Sequence, residues 1–383
     1  MQSKTIKTWS WVHKWSSLVC TVFMLLLCIT GLPLIFHHEI GHLLGTEVEA
    51  PAMPADTPRI SLDRVLEVAR AQHPERVVQY VSLDEDDDAI WFVTLTPSPE
   101  PTDDFRSVAV DGRTGAVLAK PRFDEGFMWV MFKLHVDLFA GLPGMLFLGF
   151  MGLLMLVAIV SGVVLYSPFM RKLEFGTVRR ERKARLKWLD LHNLLGIVTL
   201  VWLFTVGATG MINTWADLLI KYWQYDQLSA ILAPYKGQPV VPLAERAPVQ
   251  RTLDVAQALV TDSTLSFIAF PGTAYSSPTH HTVYLRGNAP LTSKLLQPVL
   301  VDAKSAHITA APKLPWYLTA LLISQPLHFG DYGGMPMQIL WALLDIASII
   351  VLGSGLYLWL RKNNATVDKS QVVAAPPEAP HGT

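Results

Sequence analysis

The sequence predicts a membrane α-helical protein: four transmembrane helices, built as two parallel pseudo-repeats, and two α+β domains outside the membrane. Half of the residues are apolar (51%) and only 16% are charged, a composition that is unusual for a soluble protein. Histidines recur at equivalent positions in the two halves. Apolar runs long enough to cross a bilayer as helices lie at about 16–36, 143–168, 189–214 and 336–360.

Two pairs of histidines mark the repeat. His13 and His192 each stand eighteen positions before the glycine of a Thr-Gly dipeptide. His135 and His328 are each followed by a glycine six positions later, a proline eight positions later and a Ser-Gly dipeptide that begins 26 positions later. Because the first and third spans run in the same direction, the halves are parallel repeats about an axis along the bilayer normal. Equivalent histidines that point toward this axis must approach each other, and the small residues of the dipeptides would allow helices or a flat macrocycle close contact.

Basic residues near the ends of the spans predict the orientation, because short cytoplasmic loops are enriched in Lys and Arg. We expect both termini and the loop between the second and third spans to be cytoplasmic. The residues that predict this are Lys4, Lys7 and Lys14, then Arg171, Lys172, Arg179, Arg180, Arg182, Lys183, Arg185 and Lys187, and finally Arg361 and Lys362.

The spans divide the chain into successive segments. Two long segments would lie outside the membrane, and a disordered cytoplasmic tail would follow the last span. In order, the predicted segments are the N-terminus with the first span (1–36), the first outer domain (37–130), the second span (131–169), the basic loop (170–188), the third span (189–214), the second outer domain (215–330), the fourth span (331–361) and the tail (362–383).

Each outer segment has the pattern of a small α+β unit, one helix with an antiparallel sheet. In the first, Ser61 has the position of a helix N-cap, strand-like stretches follow, and a turn signal covers 111–115. The same layout returns 191 residues later, where Leu253-Asp254 matches Leu62-Asp63. The acidic run 84–88 is expected at a solvated hairpin tip rather than at a metal site, because consecutive carboxylates on a turn rarely converge.

Composition and motifs exclude several functions. The net charge of −1 gives no basis for a nucleic-acid partner. Cys20 and Cys28 both lie in the first span, so no disulfide framework is expected, and no CxxCH motif for covalent c-type haem occurs. The chain also lacks a GxGxxG motif after a strand, a P-loop, an HExxH motif and a serine nucleophile elbow. No nucleotide, flavin or hydrolase site is therefore expected.

The equivalent histidines predict two haem sites. His13 and His192 lie at the cytoplasmic ends of their spans, and His135 and His328 lie at the outer ends, so each pair falls on one side of the membrane. Two neutral imidazoles can hold the iron of a b-type haem, and an apolar bundle can bury its porphyrin. Eighteen helical residues cover roughly 27 Å, close to the hydrocarbon thickness. Two haem b groups would therefore form an electron path across the bilayer.

The other histidines carry weaker expectations. His37 and His38 lie just beyond the outer end of the first span, and either could serve as an extra haem ligand. Five others lie in polar stretches and are expected at the surface, although the adjacent pair among them could contact a substrate or a metal ion. These five are His73, the pair His280-His281, His307 and His381.

The membrane segments resemble those of the PepSY-associated transmembrane proteins. The motifs are His-Lys-Trp followed by Thr-Gly-Leu-Pro-Leu, Leu-His followed by Ser-Gly-Val-Val-Leu-Tyr, Leu-His-Asn followed by Thr-Gly, and Leu-His-Phe-Gly followed by Gly-Ser-Gly-Leu-Tyr-Leu-Trp. The outer helix, strands and closing Asp-x-x-Thr-Gly turn are similar to the PepSY domain. The resemblance covers about residues 5–362. It implies two periplasmic PepSY-like domains, and it is closest to the inner-membrane ferrisiderophore reductases that carry haem. The second closing turn, 302–306, lacks the Thr-Gly pair, which marks a diverged copy.

We therefore expect an inner-membrane oxidoreductase that carries electrons outward and reduces a ferric siderophore in the periplasm. Reduction would release iron, because hard oxygen ligands hold Fe(II) far more weakly than Fe(III). The electron donor is left open between a cytosolic flavoprotein that docks on the basic loop and quinol from the surrounding membrane lipid. Two alternatives are a non-enzymatic PepSY module that binds or regulates a periplasmic partner, and a siderophore or iron permease in which the histidines line the path.

The orientation can be tested with a reporter that is active only in the periplasm. Fused after Arg180, in the basic loop, the reporter is expected to be inactive, because the positive charges keep this loop in the cytoplasm. The measurement is reporter activity in whole cells. An active fusion would reverse the topology and with it the direction of electron flow.

Overall fold

The computed structural model describes residues 3–54, 56–170, 175–179 and 183–373 of the chain. These residues form two compact units. The helical unit comprises Met1–Ile35, Val130–Thr214 and Leu327–Thr383, and the sheet unit comprises Phe36–Trp129 and Trp215–Pro326. Some residues of the predicted basic loop, and one histidine predicted at the surface, lie outside the described residues. They are Arg171, Lys172, Arg180, Arg182 and His381.

Blocks of helices alternate with blocks of strands along the chain. The helices are α1 (Ser3–Ile35), α2 (His37–Leu44), α3 (Leu62–Ala71), α4 (Gly126–Val136), α5 (Leu142–Met170), α6 (Ala184–Val198), α7 (Leu200–Asn213), α8 (Ala216–Trp223), α9 (Ser229–Leu232), α10 (Val249–Leu259), α11 (Trp316–Phe329) and α12 (Gly334–Val373). The strands are β1 (Val77–Leu83), β2 (Ile90–Thr96), β3 (Arg106–Asp111), β4 (Val117–Ala119), β5 (Ser263–Ala269), β6 (His280–Gly287), β7 (Leu296–Asp302) and β8 (Ile308–Ala310).

Three helices of the described residues are long and apolar enough to cross a membrane, over Lys4–Ile35, Leu142–Tyr166 and Asp331–Arg361. A fourth crossing exists if α6 and α7 form one broken span, since they meet at a bend of 66°. The break falls at Thr199, whose hydroxyl and N–H both donate to the Leu195 carbonyl, at 2.8 and 2.9 Å. Hydroxyl bonds to the preceding turn often bend helices, and the uninterrupted apolar run of this span does not reveal the bend.

Two segment boundaries differ from those expected. The predicted second span, 131–169, is divided between the end of α4 and most of α5. The chain turns between these helices at Leu138 and Phe139, whose φ angles are 55° and 60°. The expected tail begins inside α12, which continues to Val373. His135 therefore lies on a short helix of its own rather than on the span that follows it.

The two outer segments share one sheet. Its strands run in the order β4-β3-β2-β1-β5-β6-β7-β8, and neighbouring strands are antiparallel. The halves join where β1 pairs with β5, with Tyr80 opposite Ala269 and Ser82 opposite Phe267. Each of these strands would otherwise present an exposed sheet edge, so their pairing removes two edges. Apolar residues of both halves form one buried cluster, and the segments expected as two domains fold as a single unit.

Reciprocal contacts between α3 and α10 also link the halves. Asp63 accepts hydrogen bonds from the Val249 and Gln250 N–H groups at the start of α10, at 2.7 and 3.2 Å. In return, the Gln250 side chain accepts a hydrogen bond from the Leu62 N–H at the start of α3, at 2.9 Å. The first N–H groups of a helix have no partner within it, and a carboxylate there also favours the helix dipole. Because Pro248 offers α10 no side-chain cap, the other half supplies it.

The two closing turns keep the same backbone although their sequences differ. Gly115 has a φ of 73°, and the equivalent Ala306 has a φ of 57°. In each turn the N–H of this residue donates to the carbonyl of the leading aspartate, Asp111 at 2.8 Å or Asp302 at 2.9 Å. A left-handed conformation costs an L-residue with a side chain about 1–2 kcal/mol. The second copy has therefore retained the turn at a cost that glycine avoids in the first.

A pair of substitutions tests this account. Gly115→Ala is expected to lower the free energy of unfolding by about 1–2 kcal/mol, because alanine is strained in the left-handed conformation. Its Cβ would also lie only 3.2 Å from Ile60 Cδ1. Ala306→Gly, the opposite change at the equivalent turn, is expected to be neutral or slightly stabilising, since it relieves the backbone but loosens the unfolded chain. Thermal unfolding of the purified protein measures both. Equal destabilisation by the two substitutions would contradict the assignment.

Candidate functional site

The helical unit brings the four equivalent histidines together as two pairs. The rings of His13 and His192 have centroids 6.4 Å apart, and those of His135 and His328 are 6.1 Å apart. In each pair the two rings lie at a steep angle, 77° and 61° respectively. Each pair thus joins side chains from helices that occupy equivalent places in the two halves.

The first pair is held by matching hydrogen bonds. His13 Nδ1 lies 2.9 Å from the Ala158 carbonyl and 3.2 Å from Ser161 Oγ. His192 Nδ1 lies 3.0 Å from the Val351 carbonyl and 3.0 Å from Ser354 Oγ. A carbonyl can only accept, so Nδ1 must carry the proton in both rings. The other nitrogen, Nε2, then has the free lone pair with which a neutral histidine binds a metal.

The second pair repeats this arrangement with threonine. His328 Nδ1 lies 3.0 Å from the Val206 carbonyl and 3.4 Å from Thr209 Oγ1. His135 Nδ1 lies 3.0 Å from Thr30 Oγ1, whose own proton is directed to a carbonyl of the preceding turn. His135 Nδ1 therefore donates, and Nε2 is again the nitrogen left for a ligand. No hydrogen bond to Nε2 of any of the four rings is found within the described ranges.

A glycine faces each of these rings. The serine or threonine that bonds each Nδ1 is followed by a glycine, and the imidazole packs where that glycine lacks a side chain. Three of the accepting carbonyls belong to the residue four positions before the glycine. Measured from the Cβ that alanine would add to the Cε1 of the ring, the distances are 3.2 Å for Gly162 and His13, 3.3 Å for Gly355 and His192, 3.2 Å for Gly31 and His135, and 2.9 Å for Gly210 and His328.

The space left by each glycine explains the Ser-Gly and Thr-Gly dipeptides, for which the sequence predicted only a close approach of helices or of a macrocycle. The missing Cβ exposes a helix carbonyl whose second lone pair can accept from the imidazole. Gly210 is the tightest case, because 2.9 Å is too close for an alanine Cβ without displacing His328. Each Ser-Gly or Thr-Gly dipeptide therefore binds one histidine ring: the hydroxyl lies beside Nδ1, and the glycine leaves space for the ring.

The two pairs lie at opposite ends of α1. His13 is near its start, and the Thr30-Gly31 dipeptide that holds His135 is near its end. Eighteen residues of α-helix separate His13 from Gly31, roughly 27 Å along the axis. The helical unit thus offers two similar sites separated by about the thickness of a hydrocarbon layer.

The histidines suggested as extra ligands lie in the sheet unit. The rings of His37 and His38 are 4.0 Å apart. His38 Nδ1 and Nε2 lie 3.1 Å from the carboxylates of Glu47 and Asp86 respectively, so both of its nitrogens are engaged. Burial opposes a charge on this ring, but these carboxylates outweigh it and raise the pKa of His38. Both nitrogens of His38 are thus bonded to carboxylates rather than left open to a metal.

The surface position expected for His280 and His281 is wrong. Both are fully buried in β6, a strand with neighbours on both sides. His280 bonds to Ser277 Oγ at 2.6 Å and to Thr309 Oγ1 at 2.9 Å. His281 packs against Phe270, and its ring nitrogens have no hydrogen-bond partner among the described residues. Their polar sequence neighbours indicated a surface position. The two histidines are buried instead because β6 lies in the interior of the sheet.

Other expected positions are as follows. His307 is exposed and His73 is partly exposed. The acidic run lies between β1 and β2, where Asp84 Oδ1 accepts from the N–H groups of Asp86 and Asp87 at 2.9 and 2.8 Å. Over the residues that the structure describes, no group of three or more His, Cys, Asp or Glu side chains gathers as a metal site. The two histidine pairs of the helical unit each offer two rings that could hold a ligand from two sides.

Comparison with known proteins places these sites in a family. A family model described as the PepSY-associated TM region matches residues 10–362. The chain belongs to this family. The matched region contains all four paired histidines, and together with the long apolar helices it shows a membrane protein. The chain is also 27% identical over 257 residues to an uncharacterized protein of Pseudomonas aeruginosa. That match covers 62% of this chain and 64% of the relative, so it spans less than two thirds of the relative's length.

The buried His281 predicts a pH-dependent stability. Burial, with Arg246 and His280 nearby, lowers its pKa from 6.5 to about 3. The unfolded chain therefore binds a proton that the folded chain refuses between these values, and stability falls as the pH drops from 6.5 toward 3, by roughly 1 kcal/mol per pH unit. His281→Phe is expected to reduce the difference in stability between pH 7 and pH 4.5, measured by thermal unfolding. His307→Gln, at an exposed site, is the control, and an unchanged pH response in His281→Phe would refute the prediction.

Proposed function

We propose that the chain is a multi-pass inner-membrane protein that holds two b-type haems and carries electrons across the membrane to a ferric siderophore. The observation that carries the proposal is the pairing of four histidines at 6.4 and 6.1 Å, each with its Nδ1 proton already placed. A ring fixed in this way presents Nε2 as its metal-binding atom. Two such rings in one pair would form the ligand set of a bis-histidine haem.

The donor set fits this group. A metal–imidazole bond is ~2 Å long, so two rings that shared one metal ion would have centroids roughly 6 Å apart. The observed separations of 6.4 and 6.1 Å agree with this spacing. In both pairs the Nδ1 proton is donated to an acceptor, and the rings lie among apolar helices, as a buried porphyrin requires.

The residues of the chain would position and tune the group. Bound haem supplies one-electron chemistry. The backbone carbonyls and the Ser or Thr hydroxyls fix the tautomer and the orientation of each ring, and the facing glycines leave space for it. The hydrogen bond that Nδ1–H donates would make Nε2 a stronger donor to the iron. His13 with His192 would hold one haem, and His135 with His328 would hold the other.

The direction of transfer follows from the charge distribution. Exposed basic side chains cluster in sequence near the His13 and His192 ends of their helices, which supports a cytoplasmic position for that end. They include Lys4, Lys7, Lys14, Lys183, Arg185 and Lys187. Segments 37–130 and 215–330 would then be the two periplasmic PepSY-like halves of the sheet unit. Electrons would enter at the His13–His192 pair from a cytosolic flavoprotein or from quinol, and would leave from the His135–His328 pair.

The substrate assignment rests on chemistry and on resemblance. The membrane motifs are similar to those of ferrisiderophore reductases, which supports a ferric siderophore as the acceptor. One-electron reduction suits this substrate, because Fe(II) is released from hard oxygen ligands that hold Fe(III) tightly. The rival functions, a PepSY module without catalysis or a permease, would use the same histidines without any redox group.

Haem content and histidine substitutions test the proposal. The purified protein is expected to contain two b-type haems per chain by the pyridine-haemochrome assay, because there are two donor sets. His135→Ala and His328→Ala are each expected to lower the ratio to one and to abolish reduction of an added ferric siderophore. His13→Ala and His192→Ala should also lower the ratio to one, and should stop electrons from a cytoplasmic donor while an external reductant still reduces the remaining haem.

His307→Ala is the matched control, because His307 is exposed and its loss should leave two haems. His280, which the sequence would have offered as a second control, is unsuitable because it is buried. A colourless protein from haem-replete cells would reject the electron-transfer function and favour one of the rivals. Two haems retained in both His135→Ala and His328→Ala would reject the assigned ligands.

A further inference from the structure

A carboxyl group lies inside the helical unit and has no role in holding the histidines. Asp345 belongs to the candidate membrane span Asp331–Arg361 and is only 5% exposed. Its Oδ2 atom is buried without a hydrogen-bond partner among the described residues. An acidic residue inside a membrane span is costly and usually has a functional role. The Cys28 thiol hydrogen-bonds to this carboxyl, but no basic side chain compensates its charge among the described residues.

Few charged or titratable groups face this carboxyl. On α1, the thiol of Cys28 lies beside it. The packing partner α6 contributes His192, but this ring meets α12 at Gly355, ten residues or roughly 15 Å farther along the helix. Asp331, in the turn before α12, is fourteen residues away in the other direction. No Lys or Arg ion pair to Asp345 is found in the described part of the chain.

Asp345 lies near the His135–His328 pair along two helices. Trp341, one turn earlier on α12, donates from Nε1 to the His328 carbonyl at 3.3 Å. On α1, Thr30 follows the neighbouring thiol by two residues and bonds to His135 Nδ1 at 3.0 Å. The carboxyl is therefore about one helical turn, ~5.4 Å of rise, from the level of both histidines.

The acid is present in only one half of the repeat. The offset that relates His135 to His328 relates Gly152 to Asp345, and the offset that relates His13 to His192 relates Cys28 to Gly207. The two glycines meet in the other half, where a Cβ on Gly152 would lie 3.8 Å from the Gly207 carbonyl. Because glycines serve this helix contact in one copy, helix packing does not require an acid in the other.

We propose that Asp345 is a proton-binding site coupled to the redox state of the His135–His328 site. The inference rests on the proposed function, since it needs a redox group between these histidines. A ferric b-type haem with two neutral ligands carries one net positive charge at its core, and the ferrous form carries none. In an apolar interior, where charges interact strongly, the positive charge balances the Asp345 carboxylate until an electron arrives.

The coupled step is balanced as follows. One electron from the donor, dithionite in the experiment, reduces the iron. One hydronium ion of bulk water gives up a proton, so one O–H bond breaks there and one O–H bond forms on the Asp345 carboxylate. Oxidation reverses both events. The site therefore takes up one proton with one electron over the pH range in which Asp345 changes its ionisation.

Redox titration of the purified full-length protein at several pH values tests the coupling. The midpoint potential of the haem assigned to His135 and His328 is expected to fall with rising pH, by at most 59 mV per unit for one proton per electron. Asp345→Asn is expected to remove this dependence and to keep the potential at the acid limit of the wild type. Ser348→Ala is the matched control, since Ser348 is also buried on α12 and bonds only within its helix. An unchanged slope in Asp345→Asn would overturn the proposal.

A second measurement covers the case in which Asp345→Asn fails to assemble. The reduced-minus-oxidised infrared spectrum of the wild type should show a carboxylic acid C=O band that appears on reduction and shifts in D2O. Asp345→Glu should retain such a band at a shifted frequency and retain a pH-dependent potential. A wild-type spectrum without the band would overturn the coupling. Absence of haem would reject the proposed function itself, whereas two haems with pH-independent potentials would reject only the role of Asp345.

Discussion

The helical unit depends on one requirement: an imidazole inside an apolar bundle must give its Nδ1 proton to an acceptor. Backbone carbonyls in helices already accept one hydrogen bond, and side chains normally cover them. A glycine uncovers such a carbonyl, and the preceding serine or threonine adds a hydroxyl beside it. The same solution is used four times, so it also sets how closely each pair of helices approaches. Ring orientation, tautomer and helix spacing thus have a common cause.

Much of this could be predicted because it is local in sequence or repeated. Apolar runs identify the spans, and a recurring interval identifies His13 with His192 and His135 with His328. The Thr-Gly and Ser-Gly dipeptides were visible in the sequence. Their role in binding the histidine rings was not, since glycine in a span also suits plain helix packing. The bend at Thr199 was hidden as well, because the apolar run continues through it without interruption.

Features that depend on long-range pairing were not predictable. Nothing in β1 or β5 alone indicates that they pair with each other, because that choice depends on edges left by the rest of the sheet. The burial of His280 and His281 follows from other pairings, since β6 lies between β5 and β7. The burial of a residue in a strand depends on the whole fold and cannot be read from the polarity of its sequence neighbours. The turn at Ala306 shows the reverse case, in which a shape survives the loss of its sequence signal.

The reciprocal caps between α3 and α10 make each half of the sheet unit depend on the other. Half of it would leave one strand edge open and one helix start without its acceptor, so it would be complete only beside a second copy. Joining the copies in one polypeptide makes their assembly independent of protein concentration. It also means that a substitution occurs once instead of twice, so the two halves can acquire different side chains at equivalent positions. A symmetrical dimer would carry the same residue at both positions, whereas the fused chain carries Gly152 in one half and Asp345 in the other.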